Sequence, residues 1–221
     1  MDSTILDAVI PLTIIAIWIN SVFNPKKNKT DDMKKEATSL NRLKIFFKKL
    51  RAFFRKPNKQ EKFVWDELIQ LHKVNSWRHG VYETEKYVES TFTLAENKDG
   101  FYRYLLHDKE LHFDVNVIHT FPPEMTTDLF VLAAHFNNLL TFGKVVVNVH
   151  HRTVSFSYLN DISFYAVYPE KIEEHLSRHF YITRDVHWAF EKYLQEREEP
   201  AIIIGELLNL QKNRGEKTEG D

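Results

Sequence analysis

The chain has 221 residues, no cysteine, six glycines and a formal net charge of −1. Without a thiol it forms no disulfide and offers no thiolate nucleophile or ligand, and so few scattered glycines build no phosphate-cradling loop. The near-zero total conceals two opposed parts: residues 25–62 carry fourteen Lys or Arg against four acids, a net +10, which leaves −9 on residues 63–221.

Residues 5–23 are 19 long, and 14 of them are Ala, Val, Ile, Leu, Phe or Trp. As a helix they span roughly 28 Å, close to a bilayer's hydrocarbon thickness. Ile5, Val9, Leu12, Ile15, Trp18 and Phe23 are the candidate anchor residues. Pro11 is tolerable in a membrane helix, and Trp18 falls where an interfacial indole is favourable. A signal peptide would want a basic start and a small-residue cleavage site; here Asp2 and Asp7 come first and no such site follows Trp18. A buried core helix is the other alternative. The basic flank puts residues 63–221 on the cytoplasmic side and the N-terminus outside.

Residues 40–56 form a helix with two unlike faces. At 100° per residue Leu40, Leu43, Phe46, Phe47, Leu50, Phe53 and Phe54 fill one arc of about 140°. Lys48, Arg51, Arg55 and the other basic residues fall outside it, and Ile45 is the apolar exception. Phe and Leu opposite Lys and Arg suit a helix lying in the headgroups of an anionic leaflet; docking on an acidic protein surface is the alternative. No base-stacking platform accompanies the charge, so nucleic acid is not the expected partner.

Residues 63–213 are long enough for one domain with a real core. Helical spacing of Phe63, Val64, Leu68 and Leu71 predicts a helix over 60–73. Strands follow at 88–94 and, after an Asn97–Gly100 turn, at 100–106. Leu111, Phe113, Val115 and Val117 alternate with His112, Asp114 and Asn116 in a third strand. Pro122 and Pro123 then open a helix whose stripe is Met125, Leu129, Leu132, Ala133, Phe136, Leu139 and Leu140, with Gly143 as its C-terminal cap. Val145, Val147 and Val149 mark a fourth strand, and Val154, Phe156 and Tyr158 a fifth beyond a turn at 150–152. Helices are expected over 170–180, 183–196 and 200–212, then a flexible tail over 214–221.

This is an α+β pattern: an antiparallel sheet with helices packed on one face. The run AHFNNLLTFGKVVVNVHHRTVSFSY (residues 134–158) and the tail AFEKYLQEREEPAIII (189–204) resemble the YbjN family, whose fold is that of type III secretion chaperones. The resemblance spans about residues 87–210. It implies the order α-β-β-β-α-β-β-α, a bacterial protein, and binding of a partner polypeptide or self-association as adaptor, chaperone or regulator. The anchor over 5–23, which with its basic flank places the chain in the inner membrane, is a departure from family members, which are usually soluble. A sensory transduction regulator answering to a ligand or partner is the alternative.

No residue pattern points to catalysis. No nucleophile elbow, phosphate loop or dinucleotide fingerprint occurs. His107, His112 and His119 lie in or beside strands, and the neighbouring His150 and His151 are expected to point apart, so no metal site is expected. Glu173, Glu174, Glu196, Glu198 and Glu199 read as solvated helix faces, and Asn137 and Asn138 as side chains satisfying backbone near a helix end. The catalytic, cofactor and metal sets are therefore empty, and the expected partners are lipid and protein.

Overall fold

The computed structural model describes residues 32–218, with side-chain environments for residues 41–213. The expected span over 5–23 lies outside the described residues, among which no helix is long and apolar enough to cross a membrane. The chain divides into two compact units, the second beginning at Ala52. Helix α1 (Asp32–Phe53) runs through that boundary and α2 (Pro57–Val74) lies in the second unit.

Helix α1 stops at Phe53 rather than at 56, and the reason is Pro57. A proline ring clashes with a helical residue before it, so Lys56 takes an extended backbone, φ −58° and ψ 143°. The buried Gln60 donates from Nε2 to the carbonyls of Ala52 (3.2 Å) and Phe53 (3.1 Å), two of the acceptors a helix end leaves open.

The second unit is α+β, with a six-stranded, wholly antiparallel sheet in the order β1-β2-β3-β4-β6-β5. Its strands are β1 (His79–Tyr82), β2 (Tyr87–Ala95), β3 (Lys98–His107), β4 (Glu110–Ile118), β5 (Lys144–Asn148) and β6 (Thr153–Asp161). β1 was not expected: four residues with a glycine are too short to show alternation. Lys98 and Asp99 are already strand, so only Glu96 and Asn97 form that turn, with Asn97 at φ 58°. Asp108 and Lys109, both at positive φ, join β3 to β4 in the two-residue hairpin geometry whose twist matches the strands.

Burial alternates along the long strands. Tyr102, Tyr104 and Leu106 of β3, Leu111, Phe113 and Val115 of β4, and Val154 and Phe156 of β6 are buried, as period-two side chains on one face must be. Against this inner face lies α5 (Glu170–Glu196), which runs unbroken where two helices were expected. At Thr183, the expected start of the second, the hydroxyl donates to the His179 carbonyl one turn back, at 2.7 Å, a bond available to Thr inside a helix. Ile172, Leu176, Val186 and Phe190 supply the buried stripe of α5, each worth roughly 1.5–3 kcal/mol when fully buried.

Helix α3 (Thr126–Leu139) packs beside β5, after a single 3₁₀ turn at Pro123–Met125. Leu129, Leu132, Ala133 and Phe136 are buried, but Leu139 is 50% exposed and Leu140 is already extended, so the stripe ends one turn early. Gly143 does not cap this helix. It stands at φ +72° before β5, where a Cβ would meet Phe156 Cζ at 2.6 Å and the Ser157 carbonyl at 2.8 Å; only glycine fits. Val149 likewise lies in the β5–β6 loop and is exposed. A short helix α4 (Ile162–Val167), also unexpected, is capped by Asp161, which accepts from the Ser163 amide at 2.6 Å. Helix α6 (Pro200–Thr218) runs past its expected end at 212.

Of the buried histidines, His72 and His179 are fully enclosed in the core. His179 lies among Tyr102, Tyr104, Phe113 and Phe156 and donates from Nε2 to the Phe156 carbonyl at 3.3 Å. His72, beside Trp77 and Tyr104, donates from Nδ1 to the Leu68 carbonyl at 2.7 Å. Burial lowers His72 from 6.5 to about 4 and His179 from 6.5 to about 3. Unfolding frees both rings to bind protons near 6.5, so the unfolded state holds more protons below that pH. Stability therefore falls from about pH 6.5 downwards, each ring's share ending once its folded value is passed. At ~1.4 kcal/mol per pH unit, each ring contributes roughly 2–3 kcal/mol of loss by pH 4.5. Urea denaturation at a series of pH values should show a shallower pH slope for His179→Gln than for the parent; equal slopes would exclude the neutral buried ring.

Candidate functional site

The residues of β2, β3, β4 and β6 that point away from α5 are exposed or half-buried. The buried residues of α2, α4 and α5 all reach the opposite side: His72 lies by Tyr104, Tyr165 by Phe113, and His179 by Phe156. The outer face of the sheet is thus left without a helical cover among the described residues.

Strand register assembles two rows on this face. Gly80, Glu89, Arg103, Asp114, Ser157 and Lys144 are successive cross-strand partners, so charge alternates across the middle of the sheet. Tyr82, Tyr87, Leu105, His112 and Leu159 form the next row. Cross-strand neighbours of this kind interact directly. The Arg103 guanidinium lies 3.6 Å from the Glu89 carboxylate and 5.0 Å from the centre of the Tyr87 ring. Tyr87 stacks on Tyr82 at 4.2 Å. Phe101 is 54% and Leu159 46% exposed, large apolar groups in a position where a partner could bury them.

A groove of about 550 Å³ runs between the rows, lined by Leu105, His112, Asp114, Lys144, Ser157 and Leu159. A second depression of about 270 Å³ adjoins it, reaches Phe101 and His119, and shares Arg103 and Asp114. Loss of water between the strands raises the Asp114 carboxyl above its ordinary value, although the side chain still reaches solvent; Arg103, His112 and the Val115 amide pull the other way. A carboxylate held this way is poised for a further cationic partner.

His112 meets Glu110 at 3.2 Å and His107 meets Asp108 at 3.1 Å, while His150 and His151 do not point apart: their rings meet edge to face at 4.8 Å within a loop. Among the described residues no three His, Asp or Glu side chains converge as metal ligands would. Glu196 and Glu198 are more than solvated faces. With Glu206 they surround the Lys192 ammonium at 3.2, 3.3 and 2.6 Å, which joins α5 to α6 and raises Lys192, Glu206 contributing most. Asn137 pairs with the Val145 backbone, donating to its carbonyl at 3.0 Å and accepting its N–H at 2.7 Å. That occupies the free edge of β5, which would otherwise template another strand.

Of the membrane-directed residues, Ile5, Val9, Leu12, Ile15, Trp18 and Phe23 lie outside the described part. On α1 the apolar arc is graded: Leu43, Phe46 and Leu50 are half-buried, whereas Phe47 and Phe53 are exposed, as are Lys48 and Arg51. Phe54, also exposed, and Arg55 lie beyond the helix end, and the Arg55 guanidinium stacks over Phe63 at 4.8 Å.

Neither a protein-family model, nor a curated protein, nor a solved structure matches the chain. The functional reading therefore rests on its own residues.

Proposed function

We propose that this chain is a non-enzymatic interaction module that docks a polypeptide on the open face of its sheet while its basic N-terminal part holds it against an anionic membrane surface. The observation that carries this is the outer face itself: exposed Phe101 and Leu159 beside the Glu89–Arg103–Asp114 charge row. Apolar groups interleaved with ordered charge suit a protein surface, which supplies burial and complementary charge together. The YbjN resemblance is a further support for this reading; β1, α4 and α6 are additions to the order it implies. The anchor, the cytoplasmic orientation and the bacterial inner membrane belong to the same proposal and are supported by the apolar stretch over 5–23 and its +10 flank.

A photo-crosslinking residue in place of Phe101, in cells expressing the full chain, should give a discrete adduct with a polypeptide. The same residue at Tyr181, exposed on α5, should give none. Diffuse or absent adducts at Phe101 would count against docking on this face.

The membrane half is tested with a synthetic peptide of residues 32–56 titrated with vesicles. Changing Phe46, Phe47 and Phe54 to Ser should remove most apolar burial, roughly 1.5–3 kcal/mol per fully buried Phe. Changing Lys48, Arg51 and Arg55 to Gln should weaken binding to anionic vesicles mainly at low salt. A peptide that stays in solution with both neutral and anionic vesicles would make α1 a protein-docking helix.

A further inference from the structure

We propose that the polypeptide docked on the open sheet face is a second copy of this chain, packed face to face about a two-fold axis running along the strands between β3 and β4. This rests on the docking reading above and names its occupant.

Strand register decides which residues would meet across such an axis. β3 and β4 are the third and fourth of six strands, so an axis between them passes through the middle of the face. Rotation about it sets each outward residue of β3 over the partner residue that already opposes it across β4. Arg103 then faces the partner's Asp114 and Asp114 the partner's Arg103, because these two are cross-strand neighbours. His107 faces the partner's Glu110 in the same way. One strand further out, Tyr87 of β2 faces the partner's Leu159 of β6, since both lie in the row that runs through Leu105 and His112. Arg103 and Asp114 thus each meet their opposite charge at the axis and Tyr87 meets Leu159, while Leu105 faces the partner's His112. The two Arg–Asp pairs form a closed quartet in which Asp114 gains a cation from the partner, a self-complementary arrangement that a two-fold interface requires.

The size also fits. Strands of 4, 9, 10, 9, 5 and 9 residues, at ~3.3 Å per residue and ~4.8 Å between strands, give a face of roughly 700 Å². Stable partners bury about 800 Å² each. Growth of the sheet through its β5 edge is meanwhile obstructed by Asn137, which leaves the face as the larger surface.

The chain has no cysteine, so a single Leu105→Cys substitution in the full chain gives an unambiguous probe. Sheets packed ~10 Å apart place Leu105 and its counterpart within reach of a bis-maleimide spanning roughly 10 Å. Cross-linking should yield a product of twice 26.3 kDa, and Tyr181→Cys should not. Adding Arg103→Glu, or Asp114→Arg, should each reduce that product at least tenfold, because either change brings like charges together across the axis. Co-expression of the two variants, separately tagged, should restore a mixed dimer. In that mixture the two substituted side chains face each other with opposite charges, and the unchanged Asp114 of one copy faces the unchanged Arg103 of the other. Misfolding of either variant could not give that recovery. Absence of the dimer from the Leu105→Cys chain, indifference to both charge reversals, or failure of the mixture to recover would each overturn the proposal. A Phe101 photo-adduct of some other mass, without the Leu105 dimer, would overturn the second copy alone and leave docking on this face intact.

Discussion

The long helix α5 on one face of the sheet is the contact on which the rest of this structure depends. Its 27 residues cross β2, β4 and β6, and the centre of the contact is His179, stacked on Phe156 at 5.1 Å. A polar ring there is tolerated because it stays neutral and finds the Phe156 carbonyl. Once this face is buried, the two-residue period of every strand assigns the alternate side chains to the other face. The outer rows are therefore a by-product of the core's geometry and are free to carry recognition.

What lies around the sheet sharpens that division. Asn137 occupies the β5 edge, and the Lys192 cluster ties α6 to α5 on the covered side. Gly143 is forced by the close approach of Phe156 and Ser157, so the loop into β5 has little freedom to fold back over the groove beside it. Helices α2 to α6 are committed to the core, one edge is occupied, and the outer face remains. Its charged row is supported from within the sheet, since Arg103 is held by both Glu89 and the Tyr87 ring. A partner would meet a fixed array rather than pay the ordering cost of loose side chains.

Much of the fold was legible in the sequence because it follows from periodicity. β2, β3, β4 and β6 show clear alternation, and α2 and α3 show helical spacing. The four residues of β1 hold too little pattern to show, and the break expected in α5 before Thr183 is bridged by the Thr183 hydroxyl bonding back to His179 within the helix. Gly143 carried the right signal, a need for positive φ, but for a strand approach rather than a helix cap. The candidate site was scarcely legible. Arg103, Asp114, Ser157 and Lys144 become neighbours only through register, and β5 joins beyond β6, out of chain order. The apolar half of α1 could be read directly, but its graded exposure depends on packing, and its end depends on Pro57.

The central claim is that the inner face folds the protein and the outer face recognises a partner. Thermal unfolding of the full chain, diluted until it is monomeric, tests this most directly when compared with a variant carrying Phe101→Thr, Leu105→Thr and Leu159→Thr. Threonine keeps strand propensity, and substitutions away from a packed core usually cost within ~0.5 kcal/mol each. The account predicts a cooperative transition within a few degrees of the parent. A broad or absent transition would mean that the outer face is itself packed in the folded monomer, and the division between the two faces would fail.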